Sequence, residues 1–252
     1  MSRIIGVLNH KGGTGKTTTV VNLAVGLAMR GSRVLCIDID SQGSLATYFG
    51  VSPTHSLADI LLSQIEVCSS IVPVRENLDL IPSNARQLEA EGMLWRLGSR
   101  PAAQRVFADK FEGVHGDYDY ILIDHSPSNS LLSESSLLYT RELIVPVAMN
   151  YLALVGTRQV IETLKSIGRV AGHQLSLSLV VPTFYHTRFR KDREIIETLN
   201  RYFGDKVSQP IRANVKLSEA PSHRMSIYDY APHSFGAIDY AQLVERVAKN
   251  GG

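Results

Sequence analysis

Residues 9–19 read Asn-His-Lys-Gly-Gly-Thr-Gly-Lys-Thr-Thr-Thr, and the spacing of Gly15, Lys16 and Thr17 suits a phosphate chain. A glycine-rich turn turns successive backbone N–H groups inward, and the helix N-terminus behind it adds positive charge. Gly12, Gly13, Thr14, Gly15 and Thr18 would supply that backbone. Lys16 would contact the β- and γ-phosphates of a bound nucleotide, and the Thr17 hydroxyl would ligate Mg²⁺. The usual pattern G-x-x-x-x-G-K-[ST] wants glycine at position 10, where this chain has His10. A second lysine, Lys11, stands at the mouth of the same loop. A flexible turn with incidental lysines is the bland alternative. It would need strand, loop, Gly-Lys-Thr and helix to coincide by chance.

Two further stretches could converge on that loop. In Cys-Ile-Asp-Ile-Asp-Ser-Gln-Gly, Asp38 and Asp40 occupy alternate positions at the end of an apolar run. Alternate strand positions share a face, and open α/β sheets bind ligands at the carboxyl ends of their strands. A single aspartate there often only caps the next helix; a pair beside Gln42 favours work on metal or water. In Tyr-Ile-Leu-Ile-Asp-His-Ser, a second apolar run delivers Asp124, an expected partner of Mg²⁺.

The elements that must position these residues alternate along the chain. Strands are expected at residues 3–9, 33–40, 78–83, 118–124, 142–149 and 175–183. Between them fall a helix from Lys16 closed at Gly31, a helix ending near Leu97, another opened by Pro101, and one over roughly 153–171. A helix near 192–203, an irregular stretch through 233 and a final helix over 234–249 complete the chain. Near-continuous apolar strands alternating with helices predict an α/β fold, a doubly wound, mostly parallel sheet with helices on both faces. No linker is visible, so residues 1–252 read as a single domain.

Composition narrows the classes further. Of 252 residues, 44% are hydrophobic and 20% charged, ordinary for a globular chain, and the net charge is only +2. The two cysteines, Cys36 and Cys68, have no paired spacing, which argues against a disulfide framework or zinc site and suits a reducing cytoplasm. The first strand begins at once, so no signal peptide is expected, and apolar runs are too short to span a bilayer.

Lys-Gly-Gly-Thr-Gly-Lys-Thr-Thr-Thr, Asp-Ile-Asp-Ser-Gln-Gly and Tyr-Asp-Tyr-Ile-Leu-Ile-Asp-His-Ser-Pro-Ser, in that order, resemble the deviant Walker A ATPases of the ParA/Soj partition family. Leu-Asp-Leu-Ile-Pro-Ser-Asn, Arg-Tyr-Phe-Gly-Asp-Lys-Val and Asn-Val-Lys-Leu-Ser-Glu-Ala-Pro-Ser-His extend the likeness over nearly the whole chain. The resemblance implies a P-loop ATPase using ATP and Mg²⁺, active as a homodimer. Lys11 would reach the partner's nucleotide phosphates, a cation supplied in trans. Asp40 would position or activate the attacking water, and Asp38 would support the metal site. Asn214 would contact the base and Phe184 pack on it.

The chain departs from that family at three places. Ser41 replaces a usual proline. Asp124-His125-Ser126-Pro127 stands for Asp-Cys-Pro-Pro, and Ile211-Arg212-Ala213-Asn214-Val215-Lys216 for Ile-Pro-Arg-Asn-Val-Arg. Loss of proline alters the stiffness of both strand-end loops.

Residues 183–224 carry nine Lys/Arg against five Asp/Glu, so the rest of the chain is net negative. A solvated helix face explains any one of them. Clustering suits phosphate-backbone contacts without sequence readout. The resemblance assigns non-specific double-stranded DNA binding to Arg188 and Lys216, with Arg190, Lys191, Arg193 and Arg224 as neighbours. It also implies a ParB-like activating partner and a cytoplasmic, nucleoid-associated protein. Relatives that position a non-DNA cargo, and metabolic P-loop enzymes on the same scaffold, are the alternatives. Membrane cycling in the manner of MinD is not expected, because the last helix has an ordinary core face and mixed charge.

Overall fold

The computed structural model describes residues 2–150, 160–168 and 173–249. Seven strands form one sheet in the order β3-β4-β2-β5-β1-β6-β7. They are β1 (Arg3–Val7), β2 (Val34–Asp38), β3 (Val72–Arg75), β4 (Leu78–Ile81), β5 (Tyr120–Asp124), β6 (Glu142–Ala148) and β7 (Ser176–Thr183). All neighbours pair in parallel except β3 with β4, a short antiparallel edge.

Apolar residues on both faces of the inner strands explain why those runs look continuous in sequence. Ile5, Val7, Cys36 and Leu122 face one side, where they pack with α1 (Lys16–Ala28), α2 (Ser44–Phe49) and the last helix. Ile4, Leu35, Ile37, Ile121 and Ile123 face the other, beneath α3 (Leu57–Leu61), α4 (Gln87–Arg96), α5 (Arg100–Phe111) and α6 (Leu131–Tyr139). A third cluster joins β6 and β7 to helical residues 160–167 (α7) and to α8 (Arg190–Phe203). The expected helix over 153–171 is observed at 160–167, followed by a turn at Gly168; residues 153–159 and 169–171 lie outside the described residues.

Three expectations need correction. Helix α1 ends at Ala28 with Met29 as its cap, and Gly31, at φ 86°, turns the chain two residues later. The stretch before residue 233 is not irregular: α9 (Val215–Glu219) is capped by Asn214 and α10 (Ile227–Tyr230) by Ser226. Strand β2 stops at Asp38, so Asp40 belongs to the following turn and not to the strand. The final helix, α11 (Phe235–Lys249), lies against α1.

Candidate functional site

Strand pairing brings the separate motifs together. Val7, the last residue of β1, is level with Asp124 of β5, and Asp124 is level with Asp38 of β2. The glycine loop therefore leaves the sheet beside both carboxylates. Gly13 and Gly15 adopt φ of 72° and 87°, a region in which side chains are strained. Added Cβ atoms at Gly12 and Gly13 would meet nothing within 4 Å, so that side of the loop is open. Helix α1 has Gly15 at its N-cap, which offers no side-chain cap, and holds no acidic residue in its first turn. Its first N–H groups are left to an anion.

Side chains from three strand ends shape the loop. Buried Asn9 accepts the Lys11 N–H at 3.0 Å and donates to the Pro146 carbonyl at 2.8 Å. The Thr183 hydroxyl donates to the Thr14 carbonyl at 2.9 Å, fastening β7 to the loop. The two lysines diverge. Lys16 is 8% exposed, with Nζ 3.4 Å from the Lys11 carbonyl oxygen. Burial lowers its pKa, and the Asp124 and Asp40 carboxylates oppose that. Lys11 points outward, with Nζ 3.4 Å from Asn150 Oδ1 at the end of β6.

Thr17 and Asp124 form the candidate metal position. The Thr17 hydroxyl donates to Asp124 Oδ2 at 2.7 Å, while Asp124 Oδ1 is buried without a hydrogen-bond partner. Burial pushes the Asp124 carboxyl up to about 7, against the pull of Thr17 and Lys16. An orphaned, desolvated carboxylate oxygen beside a hydroxyl fits a hard cation. Asp38 is used differently. Its Oδ1 accepts the Asp40 N–H and its Oδ2 the Leu45 N–H, both at 3.0 Å. It organises the 40–45 loop, and burial together with Asp124 raises its pKa well above the usual range. Among the described residues no cluster of three His, Cys, Asp or Glu could hold a metal alone. A magnesium ion here would take most of its shell from phosphates and water, as that ion commonly does.

Beside Gly15 lies a cavity of about 230 Å³, lined by Thr18, Phe184, Arg212, Asn214, Leu217 and Tyr240 among others. Phe184 is held at φ 56° with its ring near Gly15, and Asn214 caps α9 through Oδ1. Both sequence-expected base contacts therefore line one cavity next to the phosphate loop.

The basic residues are less uniform. Tyr185 bonds across to Ile211 and Ala213, which brings the start of the 184–193 segment beside the 211–216 segment. Arg188 and Arg193 are exposed and have no acidic partner among the described residues. Arg190 is paired with Glu194 at 2.7 Å, Lys191 lies 4.0 Å from Asp192, and Lys216 is paired with Glu219 at 2.8 Å. Arg224 stands apart: its backbone is left-handed and its aliphatic stem packs over Gly50.

The comparisons decide the family. The family described as an AAA domain matches residues 2–177. The sporulation initiation inhibitor protein Soj of Bacillus subtilis is 38% identical over 256 residues, covering 100% of both chains. The chromosome-partitioning ATPase Soj of Treponema pallidum is 32% identical, covering 100% of this chain and 99% of that one. The chain belongs to the Soj/ParA family of partition ATPases. Among solved structures, cobyrinic acid a,c-diamide synthase from Mycobacterium smegmatis, with bound ADP and magnesium, is 28% identical with a TM-score of 0.85, covering 100% of this chain and 97% of that one.

Within that family frame, several residues around the site escaped sequence reasoning. Arg212, where the resembled pattern has proline, is clamped by Asp239 of α11 and stacked on Phe235, with Cζ 4.0 Å from the ring centre. His125, in the place of a cysteine, is fully buried over Gly6, where an added Cβ would lie 2.7 Å from Nε2. Asn9 and Thr183 belong to no motif; only their place at strand ends beside the loop marks them.

Proposed function

We propose that the chain is an ATP-driven positioning switch that uses ATP and Mg²⁺. The observation that carries this is the divergence of its two loop lysines. Lys16 turns into its own phosphate cradle, while Lys11 Nζ reaches Asn150 instead; we read its charge as serving a second copy. In this reading, two subunits face each other with ATP between them. Lys11 of each supplies positive charge to the other's nucleotide as phosphoryl transfer develops. Lys16 and the loop N–H groups hold the β- and γ-phosphates, and Thr17 and Asp124 hold the metal. Magnesium, when bound, would neutralise charge on the phosphate oxygens. Asp40 orients the attacking water, and Asp38 holds the loop that carries Asp40. Phe184 and Asn214 hold the base.

The ATP dimer binds double-stranded DNA non-specifically through Arg188 and Lys216 with Arg190, Lys191 and Arg193. A ParB-like partner on the cargo stimulates hydrolysis and release, and the protein associates with the nucleoid. Nucleotide biases the state by differential affinity for the dimer, as any such switch requires. No helix among the described residues is long and apolar enough to cross a membrane.

A second reading, an ATP-dependent small-molecule ligase, is favoured by the likeness to the diamide synthase. A cleft of about 570 Å³ beside His10, Glu134 and Glu162 would be its substrate site. One experiment separates the two. Fluorescence anisotropy of a labelled random-sequence duplex is read with ATP, ADP and no nucleotide at fixed moderate salt. Binding with ATP alone, weakening as salt rises, is expected of the switch. Equal or absent binding in all three states removes the DNA cycle and turns attention to the ligase.

A further inference from the structure

Ser41 and Ser126 are the two positions where the resembled family pattern has proline in a strand-end loop. One follows Asp40; the other lies two residues past Asp124. The fold brings them to the same place. Both line a small space of about 50 Å³ between the two loops, and Gln87, the first residue of α4, lines it too. Gln87 is 3% exposed, yet neither its amide nitrogen nor its amide oxygen has a hydrogen-bond partner. A primary amide offers two donors and an acceptor, and folded proteins rarely bury such a group unmet.

The surroundings of that amide are polar and tightly held. The Ser126 and Ser128 hydroxyls lie 3.0 Å apart on one side of the space. On the other, Gly43 of the Asp40 loop sits at φ 62°, and an added Cβ there would lie 2.7 Å from the Ser83 carbonyl oxygen. Ser83 belongs to the connection that leads into α4. The Asp40 loop is thus packed on the same connection that presents Gln87, while Glu91 of α4 accepts the Leu132 N–H at 3.3 Å beyond the second loop.

We propose that Gln87 is a positioning residue that joins the Ser41 and Ser126 hydroxyls and makes the two strand-end loops move as one unit. Proline stiffens a loop by fixing its own φ. Here two serines give up that restraint, and a buried amide that can donate to one hydroxyl while accepting from the other replaces it across the gap. Asp40 enters in the water-orienting role proposed above. Through Gln87 its loop is registered against the loop that follows Asp124, so carboxylate and metal position reach their working geometry together.

The test is a set of double-mutant cycles in the full chain: Gln87→Leu, Ser41→Ala and Ser126→Ala, singly and in pairs. Steady-state ATP hydrolysis, binding of a fluorescent ATP analogue and the thermal midpoint are read for each. Each single change is expected to lower kcat roughly five- to tenfold with nucleotide affinity unchanged. Gln87→Leu combined with either serine change should be no slower than the worse single variant. The thermal midpoint of Gln87→Leu should fall only modestly, because two side-chain hydrogen bonds are lost while an apolar side chain fills the same buried space. Unchanged kcat, additive losses, or a kcat loss matched by lost nucleotide affinity each overturn the proposal. Asp40→Ala, run alongside, separates the two possible failures. Turnover in that variant removes the role of Asp40, whereas additivity among the other variants removes only the link between the loops.

Discussion

Arg212 and Asp239 are bound to each other through side chain and backbone alike: Nε lies 2.9 Å from Oδ2, Nη2 lies 2.5 Å from Oδ1, and the Arg212 N–H donates to Oδ2 at 2.8 Å. Asp239 is 5% exposed, so its charge depends on that partner. The pair ties α11 to the chain segment that forms one wall of the 230 Å³ cavity. Asp239→Asn should therefore cost about 1–3 kcal/mol of stability in denaturant unfolding. It should also weaken ATP binding in a nucleotide titration. Arg212→Ala should do much the same, and the double variant should be little worse than either alone.

Asn214 caps α9 and lines the cavity, and its proposed hold on the base can be tested apart from the cap. Its Oδ1 accepts the Lys216 N–H at 2.9 Å, capping α9, which leaves the Nδ2 donors for the cavity. Asn214→Asp keeps the capping oxygen and loses the donors; Asn214→Ala loses both. Ala should lower stability by about 1 kcal/mol, the usual worth of such a cap, and Asp should not. If Asn214 holds the base, both should lose ATP affinity to a similar degree. An aspartate variant that binds ATP normally would show that Asn214 is only a cap.

What could be read beforehand follows from how far each signal reaches along the chain. Strands β1, β2, β5 and β6 are legible because burial on both faces leaves unbroken apolar runs. Strand β3, Val-Pro-Val-Arg, is not, since a four-residue antiparallel edge with alternate burial looks like loop. Helices α9 and α10 are too short to show helical periodicity; only their caps, Asn214 and Ser226, mark them. Lys16 and Thr17 lie in one local motif, and Asp124 ends an apolar run, so all three are visible. The Arg212–Asp239 pair spans two elements, and each residue alone reads as a surface charge. Gln87 reads as an ordinary helical residue until the fold buries it. Arg224 shows the opposite error: its charge counts toward the basic segment, but its stem is committed to Gly50.

His125 gives a pH signature. Burial holds its pKa down near about 3, with His10 and Lys16 adding to the effect, and neither ring nitrogen has a partner. In the unfolded chain a histidine takes its proton near pH 6.5. The folded pKa is therefore depressed, and the native state keeps the ring neutral. The stability this contributes is complete above about 6.5 and falls away from there toward about 3, at roughly 1.4 kcal/mol per pH unit from this residue. His125→Cys, which restores the resembled pattern, should flatten the acid limb of a plot of unfolding free energy against pH. Parallel limbs for the two proteins would mean the ring is protonated in the native state.

The two loop lysines should fail in different ways. Lys16→Ala removes the buried cation of the cradle, and nucleotide binding should fall below detection in a direct titration. Lys11→Ala leaves that cradle intact, so ATP should still bind with little change. Hydrolysis should drop by two orders of magnitude or more, about the scale on which transition-state cations act. Mixing the inactive Lys11→Ala and Lys16→Ala chains adds a decisive reading. The first chain keeps a working cradle and the second keeps the outward lysine. In mixed dimers one of the two sites has both, and partial turnover should return. Turnover that stays absent in the mixture, with dimers confirmed by light scattering, would remove the trans role of Lys11.

The basic segment makes its own prediction about which charges matter. Arg188 is exposed without an acidic partner among the described residues, while Arg224 lies over Gly50. Arg188→Glu should abolish ATP-dependent binding to a non-specific duplex at matched salt, leaving nucleotide affinity as it was. Arg224→Ala should have a much smaller effect. Arg188→Ala should reduce the slope of log affinity against log salt by about one for each subunit of the dimer that contacts the duplex, the loss of one phosphate contact per subunit. Arg190→Ala should reduce it less, because that side chain already spends part of its charge on Glu194 at 2.7 Å. If the Arg224 variant loses DNA and the Arg188 variant keeps it, the DNA face lies toward α2 and not toward α8.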